Sequence, residues 1–179
     1  PDHPEPRKIR RAVDALEARR AAVVGAAGHG AQARGADVQA GAGLARRAAG
    51  AAVVAEQAAD WLPDKAETAF AAMLQAHPDI KVVYASNDLM ASGAYLAAKD
   101  AGREKNILFL GVDGLPNEGV QWVNKGELAA TFLYPTPGAE GLRQALKVLA
   151  GEKVEKKIVL GTETITKENA PAILKANGL

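Results

Sequence analysis

Cysteine is absent from all 179 residues, which excludes a disulfide framework and a thiolate metal site. Aromatic residues are scarce, at 4% of the chain, and none falls within the first 52 positions. No apolar run approaches the roughly 18 residues of a membrane-spanning helix, and no signal peptide is present. An excess of one charge is missing too. Lys and Arg number 22 against 21 Asp and Glu, so no strong field points to nucleic acid or an acidic membrane. The basic run Arg7-Lys8-Ile9-Arg10-Arg11 reads as a solvated helix face. His3, His29 and His77 share no metal-ligand spacing, and Ser86 and Ser92 lack a neighbouring base. These absences leave little support for a catalyst, a metal centre or a cofactor.

What is present is a regular alternation. Residues 1–52 are rich in Ala, Gly and Arg, and read as a helix over 10–20, a strand over 21–24 and a tight turn over 25–30. A weak, glycine-interrupted helix to Leu44 and a strand over 51–55 follow. From Pro63 the pattern is cleaner. Helix 64–76 carries Ala66, Phe70, Met73 and Leu74 on one face. Strand 80–85, helix 88–101, strand 107–111, a short helix at 117–125 and strand 128–133 come next. Helix 138–150 shows Leu142, Ala145, Leu146 and Leu149 at i, i+3, i+4, i+7, and Lys157 to Ile165 is a last extended segment. Strands alternating with helices of this length predict an α/β fold, an open parallel sheet flanked by helices on both faces.

In such a sheet, ligands bind in the crevice beyond the carboxyl ends of the strands. Three apolar strands here end in polar residues: the first in Ser86-Asn87-Asp88, the second in Val112-Asp113-Gly114, the third in Tyr134-Pro135. An amide, a carboxylate and a phenol in that crevice suit a small polyhydroxylated molecule. Asn and Asp after a strand are also ordinary turn and cap residues, and Asp88 reads best as the cap of helix 89–101. Trp61 reads as a lid over helix 64–76, and Trp122, Phe70 and Met73 read as core. Gly28-His29-Gly30-Ala31-Gln32-Ala33 fits the dinucleotide pattern G-x-G-x-x-A after a strand. The ribose-binding acid expected about 20 residues later is missing, because Asp37 is too near and Glu56 too far.

Laid out this way, the chain resembles the second lobe of periplasmic sugar-binding proteins of the ribose-binding type, the solute receptors of ATP-driven importers. The resemblance rests on Val53-Val54-Ala55-Glu56-Gln57-Ala58-Ala59-Asp60-Trp61, Tyr84-Ala85-Ser86-Asn87-Asp88-Leu89-Met90-Ala91 and Leu110-Gly111-Val112-Asp113-Gly114. It continues in Gly126-Glu127-Leu128-Ala129-Ala130-Thr131, Leu149-Ala150-Gly151-Glu152-Lys153-Val154 and Thr166-Lys167-Glu168-Asn169. It implies that Asn87 and Asp113 bond sugar hydroxyls and that Trp61 lies flat against the ring. Tyr134 stands where ribose binders usually carry Gln, and Arg34 is the residue available for the arginine that the family sends from its first turn.

The same resemblance divides the chain. Residues 1–134 would form the second lobe, with 1–52 matching less closely, and 135–179 would be a crossover, helix and final segment partly belonging to a first lobe that precedes residue 1. The expected partners are a small sugar or polyol, a membrane permease of an ABC importer, and a first-lobe chain or a homodimer; nucleic acid is not expected. The expected location is the periplasm. Lactose-repressor-like regulators share these lobes, so an effector-binding lobe is the alternative, and a dinucleotide-binding oxidoreductase domain is a more distant one.

Overall fold

Short β-branched runs separated by amphipathic helices fold as alternating layers in the computed structural model, which describes residues 20–25 and 52–179. The strands are β1 (Arg20–Gly25), β2 (Ala52–Ala58), β3 (Ile80–Ala85), β4 (Leu108–Leu110), β5 (Ala130–Leu133) and β6 (Glu163–Thr166). The helices are α1 (Pro63–Ala76), α2 (Asp88–Asp100), α3 (Gly119–Lys125), α4 (Gly138–Leu149) and α5 (Ala170–Ala176). One sheet runs in the order β2-β1-β3-β4-β5-β6. The pairings from β2 to β5 are parallel, and β6 joins β5 antiparallel, with Leu133 opposite Glu163. The fold is therefore α/β with a mostly parallel sheet flanked by helices.

Two details differ from the sequence reading. Of the extended segment 157–165, only the end enters the sheet, and it runs against its neighbour. Helix α5 was not anticipated: it is seven residues long and opens with Pro171 after Asn169, whose Oδ1 accepts the Thr166 N–H at 2.8 Å. A helix that short has too few positions to display a period.

Packing follows the apolar faces. Ala66, Phe70, Met73 and Leu74 of α1 are buried, as expected from their spacing. Phe109 on β4 receives Phe70 of α1 and Tyr95 of α2 edge-on, with ring centroids 6.2 and 5.6 Å apart. Burying side chains of this size stabilises the fold by about 1.5–3 kcal/mol each, so this aromatic contact joins two helices to the sheet centre. Helices α1 and α2 approach closely where Gly93 meets Pro63, since a Cβ at Gly93 would overlap the Pro63 carbonyl.

Helix α4 behaves differently. None of its residues is buried, and Leu142, Leu146 and Leu149 are 65%, 59% and 83% exposed. Its apolar stripe, legible in the sequence, has no partner surface among the described residues.

Gly93→Ala should destabilise the domain despite the better helix propensity of Ala, because backbone cannot yield to the added methyl. The expected loss is about 1–3 kcal/mol, read as a fall in Tm of roughly 2–4 °C per kcal/mol in thermal unfolding.

Candidate functional site at the carboxyl edge of the sheet

The parallel ladder of β4 and β5 delivers the site. Ala129 N–H bonds the Phe109 carbonyl, Gly111 N–H the Ala130 carbonyl, and Asp113 N–H the Phe132 carbonyl at 3.1 Å. Asp113 is thus the last rung of the ladder, bridged to Leu133, and Tyr134 is the next residue along the partner strand. The two side chains meet there: the Tyr134 hydroxyl donates to Asp113 Oδ1 at 2.9 Å. That bond, with the carboxylate charge, raises the Tyr134 phenol above its ordinary pKa, so it stays a neutral donor.

Asn87 arrives from β3. It caps α2, its Oδ1 accepting the Met90 N–H at 2.8 Å, and it is buried. The cap is therefore Asn87 and not Asp88, which is the first residue of the helix itself. With the oxygen of Asn87 committed to the cap, its amide N–H₂ is the group left to donate. Asp113 keeps Oδ2 as an acceptor beyond the Tyr134 bond. A donor and an acceptor at the ends of adjacent strands suit hydroxyl groups.

Trp61 stands at the same edge after β2, two strand positions from β3. It is 46% exposed and lies in the turn that leads into α1, with Leu62 N–H bonding the Ala59 carbonyl. The structure joins Asp113 to Tyr134, sets Asn87 at the end of the neighbouring strand next to Asp88, which bonds the chain on either side of Asp113, and leaves Trp61 on the flank. Arg34, and the glycine-rich loop 25–30 beyond Gly25, lie outside the described residues. Trp122 packs against the core, as the sequence indicated.

Backbone strain marks the same edge. Among the described residues, three non-glycine positions have positive φ: Asp60 at 49°, Trp61 at 65° and Asp113 at 119°. Asp tolerates the left-handed region, but a bulky side chain or a φ as large as that of Asp113 is costly, about 1–3 kcal/mol. All three fall in turns that leave the carboxyl ends of strands.

Asp88 is the residue that sequence reasoning undervalued. It is 1% exposed, its Oδ2 accepts the Gly114 N–H at 2.8 Å, and its own N–H bonds the Val112 carbonyl at 2.8 Å. Burial pushes its carboxyl up to about 6, aided by the charges of Asp113 and Glu118, while Thr131 and the Gly114 N–H pull the other way. Thr131 acts on the carboxyl from close by, although neither Asp88 Oδ1 nor the buried Thr131 hydroxyl completes a hydrogen bond of good geometry. Gly111 and Gly119 make room for the carboxylate, since a Cβ on either would overlap it.

An open, mostly parallel sheet with polar and strained residues gathered at its carboxyl edge defines an α/β ligand-binding domain. Residues 12–153 match the model of the periplasmic binding protein domain, and the chain belongs to that family. The ribose import binding protein RbsB of Escherichia coli is 41% identical over 118 residues, 65% of this chain and 39% of that protein. The D-ribose/D-allose-binding protein of Pseudomonas aeruginosa is 35% identical over 109 residues, 60% of this chain and 34% of that one. Among solved structures, the fructose-binding periplasmic domain of a hybrid two-component system superimposes with a TM-score of 0.76 at 30% identity, covering 96% of this chain and 58% of its own. A periplasmic solute-binding protein of an ABC transporter from Actinobacillus succinogenes, with bound D-allose, gives a TM-score of 0.72 at 26% identity over 90% of this chain and 59% of its own. The chain thus spans well under two thirds of the length of these relatives.

The raised carboxyl of Asp88 makes a signed prediction about stability. A group whose folded pKa lies above its unfolded value favours folding when neutral, so its contribution is complete below about pH 4 and is lost as pH rises through about 6. Asp88→Asn should therefore be more stable than the parent at neutral pH, by up to about 3 kcal/mol. The difference should vanish in acid. Urea unfolding of both proteins across that range checks it, and a pH-independent difference would contradict it.

Proposed function

We propose that this chain is the ligand-binding part of a solute receptor that serves an ABC-type sugar importer. It holds a small sugar or polyol at the carboxyl edge of its sheet and performs no chemistry on it. The observation that carries this reading is the juxtaposition of Asn87, Asp113 and Tyr134 at one edge, in a chain whose relatives are named for ribose and allose. Asn87 donates to one hydroxyl, and Asp113 accepts from its neighbour in a charge-assisted bond. Trp61 offers the apolar face of the sugar ring a flat surface from the flank. The receptor works in the periplasm and hands its ligand to a membrane permease.

The exposed stripe of α4 supports a two-lobed reading. We assign residues 1–134 to one lobe and 135–179 to the crossover and its return, with Leu142, Leu146 and Leu149 covered by a further lobe. A lone lobe supplies only part of the hydrogen bonds of a closed site and excludes less water, so it binds more weakly.

Thermal shift against pentoses, hexoses and polyols tests the function. A ligand at 100 times its Kd should add about 2.7 kcal/mol of stability. Asp113→Ala should weaken binding about 10- to 100-fold, and Tyr134→Phe less, at about 0.5–1.5 kcal/mol. A stabilising sugar whose effect survives Asp113→Ala would remove the proposed site. For the stripe, sedimentation should find self-association that Leu142→Ser with Leu146→Ser abolishes; a monodisperse monomer with α4 well packed would contradict the assignment of α4.

A further inference from the structure

Both residues that flank Asp113 are tied to Asp88. Its main-chain N–H holds the carbonyl of Val112, and its carboxylate holds the N–H of Gly114, each at 2.8 Å. Asp88 also follows directly on Asn87, whose side chain caps the same helix. One residue therefore stands between the two hydroxyl-binding groups and touches the chain on either side of the second.

A carboxylate is an odd choice for this place if only stability mattered. It is buried to 1% exposure, one of its oxygens completes no bond of good geometry beside Thr131, and no cation stands among the described groups that act on it. Buried polar groups are normally satisfied, and a buried carboxylate without a cationic partner costs more than a neutral one. Gly111 and Gly119 are both shaped around it, because a side chain at either would displace it. Asp113 meanwhile holds a φ of 119°, which the chain leaves readily unless its neighbours are fixed.

We propose that Asp88 is a positioning residue for the ligand site, holding Asp113 in its strained backbone conformation and in register with Asn87 through the Gly114 N–H. The proposal rests on reading the carboxyl edge as a sugar site. The bond to Val112 is main chain and survives any substitution, so replacing the side chain frees only the Gly114 side of Asp113. That peptide can then rotate, and the Asp113 carboxylate loses its aim towards the hydroxyl beside the one Asn87 binds. An ionised Asp88 is the stronger acceptor for Gly114 N–H, so the hold tightens as pH rises. The other titratable groups that act on Asp88, or on which it acts, are Asp113 in the β4 loop, Glu118 before α3 and Tyr134 after β5.

The test compares the parent chain with Asp88→Ala and Asp88→Asn, using D-ribose titration calorimetry at neutral pH and the backbone amide resonance of Gly114 followed by NMR from acid to neutral pH. Asp88→Ala should bind about tenfold or more weakly. Asp88→Asn, whose amide oxygen still accepts from Gly114, should recover most of the loss. The Gly114 amide should follow a titration in the parent that is absent in Asp88→Asn. A folded Asp88→Ala with parental affinity overturns the proposal, and so does a Gly114 amide indifferent to Asp88. Should the parent itself not bind D-ribose, the reading of the site fails for that sugar, and the Gly114 titration alone decides whether Asp88 holds the loop. The same titration decides if Asp88→Ala does not fold.

Discussion

A single main-chain hydrogen bond, from the Asp88 N–H to the Val112 carbonyl, fastens the start of α2 to the loop after β4. Parallel strands are joined only through long crossovers, so their carboxyl ends have no local turn to fix their relative positions. This bond and the Asp113 rung to Phe132 supply that fixation across three adjacent strands. The arrangement of the edge depends on it: the alignment of the β3 and β4 ends, the contact of Asp113 with Tyr134, and the buried seat of Asp88.

The edge also shows where stability has been traded for geometry. Phe109, with Phe70 and Tyr95 packed edge-on around it, is a core any sheet of this size could use. At the carboxyl end of the same sheet, Asp113 is strained and Asp88 is buried with an oxygen that completes no bond of good geometry. Such departures from local rules cluster at functional edges in folds that are otherwise consistent.

Much of this was legible in the sequence, for physical reasons that also explain the gaps. The alternation of 63–133 was readable because each helix and strand buries a face with its own period, and Asn87, Asp113 and Tyr134 were readable because each directly follows such a strand. The helix cap was misplaced by one residue: Asn87 and Asp88 are both good caps, and only the bond from Met90 N–H to Asn87 distinguishes them. The weight carried by Asp88 was hidden because its partner Gly114 and the spaces at Gly111 and Gly119 lie 23 to 31 positions away. Nor does any local pattern announce that β6 returns antiparallel.

That return has a mechanical consequence. The chain leaves the sheet after Leu133 and re-enters it at Glu163, and those two residues sit opposite each other on neighbouring strands. The whole excursion of 134–162, with α4 in it, is therefore tethered at two points one strand spacing apart, about 4.8 Å. Two such tethers define a line. The ladder fixes where the excursion leaves and rejoins the sheet, and leaves its orientation about that line to contacts outside the ladder. Tyr134 lies at the first tether, and its bond to Asp113 is one such contact.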